Sequence, residues 1–456
     1  MSSITQIVEE YQRILTEEVP KIAKETGAVK RQRKNGLDAV TLVQSMIFGY
    51  WQEPDLRTSG LLQVAERREV SVTESAISQR FTKESAEMFR SVLQELSEMT
   101  IELEKVDIPL LKQFTAVIVE DSSSVSLPPA LAEIWKGCGG QNCKKNAAVK
   151  LFVWWNVLTG RVKGPFLCDA RTSDHKSPLQ REELPAGSLY LADLGFFSKK
   201  AIEKTINGLK GGLGRKGKRY VVTRLKSSTA LYTRSGHRFT LRGVLPAHVG
   251  QVRELGVLLY KDRLPMRMIM VKVPEEVELE RQERIRQAAK RHSHEVSEEA
   301  LYLAGWTIVL TNLPRTRADY AQVLVLLRLR WQIERLFRLW KEDGKIDEWR
   351  TKKPYRILCE FYAKLCAMVM QSSLLAEGCW SDPYRSIVKA AQAIRREVNR
   401  IMVAFYEGGL EKTILSVLRC MRSGCQIDHR KAHPSTAHTN LLSCVKYARL
   451  SKKIGI

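Results

Sequence analysis

Apolar residues recur at three-to-four spacing through the first hundred positions, then give way to unbroken runs. The segments Ile4–Thr16, Gly36–Trp51, Leu61–Arg68, Thr73–Phe81 and Glu84–Leu103 carry the helical period. Leu61–Arg68 and Thr73–Phe81 flank the turn-like Glu69-Val70-Ser71-Val72, with Ser71 or Thr73 placed to cap the second helix. Two readings of this pair stand side by side. One is a helix-turn-helix whose second helix offers Gln79 and Arg80 to a major groove; the other is a plain helical hairpin.

From about residue 106 the period becomes that of strands. Ala116–Asp121 and Ser188–Asp193 are apolar runs that each end in an aspartate, and Leu158-Thr159-Gly160 joins Ala147–Val157 to Arg161–Cys168 as a hairpin. A helical stretch, Ser198–Leu209, precedes the strand-like Tyr220–Thr223. This order predicts an α/β fold, a mixed sheet flanked by helices. The patches Arg238–Leu241, Val252–Tyr260, Met266–Val273 and Trp306–Thr311, with the charged helix Glu275–His292 among them, read as a β-rich insertion over 226–312. The strongest helical pattern runs from Arg317 to Glu342, residues 350–422 are helical again, and Ser423–Ile456 is basic, His-rich and weakly patterned.

Composition narrows the class. A chain of 456 residues is expected to form about three domains of roughly 150 residues each. Hydrophobic residues at 44% and charged residues at 27% exclude a disordered or collagen-like chain. Lys plus Arg number 74 against 50 acids, a formal charge of +24 that attracts polyanions. The longest apolar runs, Ala39–Trp51 and Ala147–Leu158, fall short of the roughly 18 residues of a spanning helix. Met1-Ser-Ser-Ile-Thr-Gln lacks the basic start and apolar core of an export signal, and nine scattered Cys fit reduced thiols. The charge suits nucleic acid or an anionic membrane surface, the membrane reading is weakened by the short apolar runs, and the expectation is a soluble, basic, intracellular protein.

The candidate chemistry lies at the two aspartates and on the helix around 334. Ligands of open α/β sheets bind at the carboxyl ends of strands, where an acid holds a hard cation that a phosphate also touches. The plain alternative for Asp121 and Asp193 is a turn or a helix cap. Arg330, Glu334, Arg338 and Lys341 fall on one helical stripe, with Glu334 and Lys341 two turns, roughly 10 Å, apart. One carboxylate among three cations is either a solvated salt-bridge face or the acid and phosphate-binding cations of metal-dependent phosphoryl transfer.

These residues resemble the DDE transposases of the insertion-sequence-four type, whose signature is Tyr, two residues, Arg, three residues, Glu, six residues, Lys. Arg330, Glu334 and Lys341 match at that spacing, and Leu327 stands at the Tyr position. Val119-Glu120-Asp121-Ser122-Ser123, Leu191-Ala192-Asp193-Leu194-Gly195-Phe196, the Trp135–Gly140 loop, Ala147–Leu151 and Leu158-Thr159-Gly160 extend the resemblance across about 116 to 345. It implies a ribonuclease-H-like catalytic core with Asp121, Asp193 and Glu334 as metal-binding triad. Two Mg²⁺ ions would sit about 3.5–4 Å apart, with Mn²⁺ as a substitute. It also implies double-stranded DNA as partner, both transposon ends and target, a homodimer on paired ends and a bacterial cytoplasm. Strand cleavage and strand transfer would be its reactions, by cut and paste through a hairpin, with Trp306 stacking on a flipped base. Arg330, Arg338 and Lys341 would touch DNA. The resulting division is 1–105 helical and end-binding, 106–225 with 313–348 catalytic, 226–312 the insertion, and 349–456 a helical C-terminal region with a basic tail.

Three further signals read as secondary. Gly212–Arg219 resembles a phosphate-binding loop, but Arg219 replaces the hydroxyl residue and a helix precedes it, so it reads as a basic loop touching DNA. Cys420, Cys425, His429 and His433 lack the spacing of a zinc finger, and Cys138 with Cys143 reads the same way. The stretch Arg281–His292 reads as phosphate-tracking or solvated. The rival functions are an inert DNA-binding derivative and a structure-specific nuclease.

Overall fold

Side-chain caps mark where several helices of this chain begin. The computed structural model describes residues 2–29, 37–138, 146–196, 198–208, 217–260, 263–292, 295–382 and 384–427. Helix α1 (Ser3–Gln12) starts where the Ser2 hydroxyl accepts from Thr5 N–H, and a π turn at Arg13–Glu18 leads into α2 (Val19–Glu25). Asp38, Thr73 and Thr82 cap α3 (Ala39–Gln52), α5 (Glu74–Ser78) and α6 (Lys83–Glu98) in the same way, with α4 (Thr58–Glu66) between them. After the short α7 (Pro109–Lys112) come β1 (Val117–Leu127), β2 (Ala147–Asn156), β3 (Val162–Asp169) and β4 (Leu189–Ala192). Next are α8 (Lys199–Asn207), β5 (Tyr220–Arg224), β6 (Leu231–Tyr232), β7 (Arg238–Phe239), β8 (Val252–Leu259), β9 (Leu264–Lys272), α9 (Glu275–His292), α10 (Glu298–Leu303) and β10 (Trp306–Thr311). The chain continues through α11 (Tyr320–Leu329), α12 (Trp331–Arg338), α13 (Pro354–Cys379), α14 (Ile387–Glu407) and α15 (Leu410–Gly424).

The chain divides into two compact units. Within the described residues, the first comprises 2–106, 121–179 and 332–427, and the second 107–120 and 180–331. In the first unit, the long α13 is buried along nearly its whole length. Trp51 on α3 donates its indole N–H to Gln371 Oε1 at 3.0 Å, and Tyr11 donates to the Met370 carbonyl at 2.6 Å. The polar groups of these two buried aromatics are thus satisfied inside the apolar core.

Ten strands are hydrogen-bonded in the order β3-β2-β1-β4-β5-β10-β9-β8-β6-β7. In the second unit, β1 pairs parallel with β4 and β4 parallel with β5, after which β10, β9, β8, β6 and β7 follow antiparallel. This is the mixed sheet expected of a ribonuclease-H-like α/β core. The stretch 226–312 adds its strands to that sheet through β10, because the apolar Thr307–Thr311 needs cover on both edges. Among the described residues, no helix is long and apolar enough to cross a membrane.

Three sequence expectations change. Strand β1 does not stop at Asp121 but runs to Leu127, alternating exposed Ser124 and Ser126 with buried Val125 and Leu127, so Asp121 is a mid-strand residue. The helix expected over 317–342 is broken at Arg330 into α11 and α12 and ends in a π turn, Leu339–Asp343. The expected helix over 73–81 is helical at Glu74–Ser78, since a single apolar anchor, Ile77, is buried there.

Candidate nucleic-acid-processing site

The second unit sets one acid by strand register. β1 and β4 run parallel with Val117 opposite Leu189 and Glu120 opposite Ala192, and the residue after that last pair is an aspartate on each segment, Asp121 within β1 and Asp193 just past the end of β4. Glu120 itself is fully buried. The Tyr190 hydroxyl donates to its Oε2, and the Gln180 amide donates to that same oxygen at 3.0 Å and to the Tyr190 oxygen at 2.9 Å. Burial, then the neighbouring carboxylate, raises the Tyr190 phenol well above its ordinary range, so it stays a donor. Strand alternation puts Asp121 on the other face from Glu120. This network escaped the sequence reading, although a glutamate inside an apolar run was its available signal.

Arg330 joins the same unit at Asp193. It occupies the break between α11 and α12, is 8% exposed, and its Nε lies 3.7 Å from Asp193 Oδ1. The leucine-rich α11 packs Val323–Leu327 and Leu329 into the core, started by an Asp319–Gln322 capping box. Leu327 is buried within that face, so an apolar contact stands where the signature has a phenol. Next to Arg330, Trp331 is 58% exposed, an aromatic the sequence reading did not single out.

The first unit holds the other acids. Asp121 accepts from the Ser122 N–H at 2.8 Å, and the Ser122 hydroxyl donates to Asp174 Oδ1 at 2.8 Å. Lys150 donates to the same Asp174 oxygen at 3.2 Å and to the Thr172 carbonyl at 2.6 Å. Glu334 lies exposed in the first turn of α12, whose other face buries Ile333, Leu336 and Phe337. Lys341, in the π turn, donates to the Ser124 carbonyl at 3.1 Å, three residues beyond Asp121 on β1. Arg395 donates to the Asp343 carbonyl and lies 2.9 Å from its carboxylate, anchoring the end of that turn. Arg338 is exposed, 3.8 Å from Glu342.

Asp121, Asp193 and Glu334 are hard oxygen donors on accessible side chains and fit a hard divalent cation. Among the described residues, no group of three or more His, Cys, Asp or Glu is arranged to hold a metal ion. The remaining sequence candidates stand elsewhere. Gln79 is exposed and donates to Ser75, while Arg80 donates to the Leu37 carbonyl at 2.9 Å. Trp306 is half-buried; its indole N–H donates to the Pro246 carbonyl at 2.8 Å, with the Tyr302 ring at 5.0 Å and Lys272 Nζ 4.1 Å from its centroid.

Arg219, from the loop read as touching DNA, and Arg281, from the stretch read as phosphate-tracking or solvated, are both held by protein groups. Arg219 is 5% exposed and pairs with Glu183 at 2.7 Å, while residues 209–216 of the glycine-rich loop lie outside the described residues. Arg281 braces β10, donating to the Ala304 and Trp306 carbonyls and to the Thr307 hydroxyl. Cys425 is buried and Cys420 exposed, whereas Cys143, His429 and His433 lie outside the described residues.

The family described as Transposase DDE domain matches residues 112–370, a span that contains all three acids and the Arg330–Lys341 signature. The transposase for insertion sequence element IS231F of Bacillus thuringiensis subsp. israelensis is 26% identical over 396 residues, covering 81% of this chain and 79% of that protein. The transposase for insertion sequence element IS1151 of Clostridium perfringens is 24% identical over 383 residues, 78% of each chain. A putative transposase, InsL, for insertion sequence element IS186A of Escherichia coli K12 is 28% identical over 217 residues, 46% of this chain and 56% of its own. With its mixed sheet, and with Asp121, Asp193 and the signature helix inside the matched span, the chain belongs to the DDE transposase family, of the insertion-sequence-four type.

Proposed function

We propose that this DNA transposase cuts at the ends of an insertion sequence and joins the freed 3′ ends to target DNA, with Asp121, Asp193 and Glu334 as its acids. Members of the family depend on a divalent metal. Asp121, Asp193 and Glu334 would hold it, as two Mg²⁺ ions with Mn²⁺ able to substitute, and it would supply Lewis-acid charge to the scissile phosphodiester. The observation that carries the reading is the register of β1 and β4, whose last pair is followed by Asp121 and Asp193, together with Arg330, four residues before Glu334 in sequence, held against Asp193.

In this reading the protein's own groups position and neutralise. Arg330 and Lys341 take the phosphates flanking the cut, and the exposed Arg338 adds charge along the same helix. Fixing the backbone lets water, and later the 3′-hydroxyl, attack in line. Trp306 stacks on a base flipped out for the hairpin step, and the exposed Trp331 offers a second aromatic face to DNA. Residues 1–105, with Gln79 and Arg80, bind the element ends, and two copies assemble on paired ends in a bacterial cytoplasm.

The test incubates the protein with supercoiled plasmid carrying candidate ends, in Mg²⁺ or EDTA. Mg²⁺-dependent nicking is expected, and Glu334→Gln is expected to keep end binding and lose cleavage. Cleavage by Glu334→Gln removes that residue from the triad; binding without any nicking by the unaltered protein leaves a DNA-binding protein instead. Trp306→Ala is expected to spare the first nick and lower the ratio of double-cut to nicked product in the same gel.

A further inference from the structure

A groove of about 500 Å³ opens in the second unit, lined among others by Arg234, Glu254, Gly256, Arg267, Asn312 and Arg315. Its floor is an arginine-carboxylate frame. Arg267, on β9, donates through Nε and Nη2 to the two Glu254 oxygens at 2.8 and 3.4 Å, and through Nη1 to the Leu313 and Ala318 carbonyls at 2.8 Å each. Both terminal nitrogens and Nε of Arg267 are therefore engaged, and its side chain is 12% exposed. Arg315 differs. Its Nε donates to Glu254, its side chain is 71% exposed, and among the described residues its two terminal nitrogens make no hydrogen bond. Glu254 thereby aims the open fork of Arg315 at the groove.

A second guanidinium lies across a gap in the strand. Gly256 sits inside β8, where a glycine weakens the strand unless another group must approach the backbone. A methyl group there would meet Arg234 Nε at 2.6 Å and Nη2 at 2.8 Å. Arg234 is exposed and makes no ion pair or hydrogen bond among the described residues. Three guanidiniums thus face one carboxylate, an excess of positive charge with two forks open to solvent. Like charges lining one groove are stabilised by an anion that they share.

We propose that this groove is a phosphodiester-binding subsite for double-stranded DNA, in which Arg234 and Arg315 contact backbone phosphates and the Arg267–Glu254 frame orients them. The groove is built in part by Thr311–Arg315, the segment through which the chain returns from β10 to α11 and the signature helix. A phosphate held here supplies a backbone anchor and contributes affinity independent of base sequence. The proposal rests on the transposase reading for its choice of polyanion.

The experiment measures equilibrium binding of a fluorescent duplex of unrelated sequence in EDTA, with salt varied between roughly 50 and 200 mM. Arg234→Ala and Arg315→Ala are each expected to reduce the slope of log affinity against log salt by about 0.9, which makes binding roughly threefold less sensitive over that range. Gly256→Ala is expected to reproduce the loss of Arg234→Ala, and the double variant to lose no more than either. Arg315→Gln, which keeps a polar side chain without the charge, is expected to behave like Arg315→Ala. Unchanged slopes in both arginine variants, with unchanged thermal midpoints, overturn the subsite. Because binding is read without metal, failed nicking by the unaltered protein bears on the transposase reading, and the slopes alone decide the groove.

Discussion

Two glutamates, each paired with a cation, show how differently the two units treat charge. Glu360 lies on α13 in the helical unit, buried beside Lys364, which is 1% exposed. Lys364 has three donors and three acceptors: Glu360 at 2.8 Å and the carbonyls of Lys345 at 3.2 Å and Glu348 at 2.8 Å. Glu254 lies on a strand of the second unit and shares its oxygens between Arg267 and Arg315. Burial raises the Glu360 carboxyl above its ordinary range, with Lys364 offsetting part of that. Burial also works to raise Glu254, but hydrogen bonds from Arg315 and Arg267 outweigh it, and its carboxyl lies below the ordinary range. A closed network with every donor matched is a structural device, whereas one with donors left over at the surface is prepared to receive an anion.

Breaking the closed network is expected to have the largest effect. Lys364→Met leaves Glu360 buried without its cation and is expected to cost about 3–5 kcal/mol in urea denaturation. Adding Glu360→Leu is expected to recover most of that loss; a single-variant cost under about 1 kcal/mol removes the distinction between the two networks. Next in size is Tyr190→Phe, which takes a donor from the buried Glu120 and is expected to cost about 1–3 kcal/mol. A negligible cost there shows that the sheet unit does not depend on a matched network of its own.

The smallest effect is a pH trend whose sign differs between the two glutamates. A carboxyl lowered on folding stabilises above its unfolded value, near 4.3, and that contribution fades as pH falls through the lower folded value. Glu254→Gln is therefore expected to destabilise at neutral pH, with the gap closing in acid. Glu360 is raised on folding, so the protein loses stability as pH rises from the unfolded value through the higher folded one. Compared with Glu360→Gln, the unaltered protein is expected to gain as pH is lowered from neutral. Parallel trends in denaturation midpoints would break the comparison.

Much of the fold was legible because apolar period follows directly from burial. Trp306–Thr311 and Glu275–His292 appear as a strand and a helix at the expected bounds. The expected end of β1 at Asp121 failed because serines read as loop, while in the sheet their short side chains simply take the outward positions. The break at Arg330 was hidden for a related reason. The helical stripe continues through it in sequence, whereas Arg330 lies 3.7 Å from Asp193, 137 positions away, a contact that no local pattern records.

The sequence by itself determined the mixed sheet, the acids Asp121, Asp193 and Glu334 as candidates, and the basic character that calls for a polyanion. Period, spacing and net charge are properties of covalent order, and folding does not alter them. Tertiary structure decided which cations remain available. Arg219, Arg267 and Arg281 are held by carbonyls and carboxylates, whereas Arg234 and Arg315 keep open forks. An arginine's role depends on partners such as Glu254, 61 positions from Arg315, and nothing in local sequence records a contact over that distance.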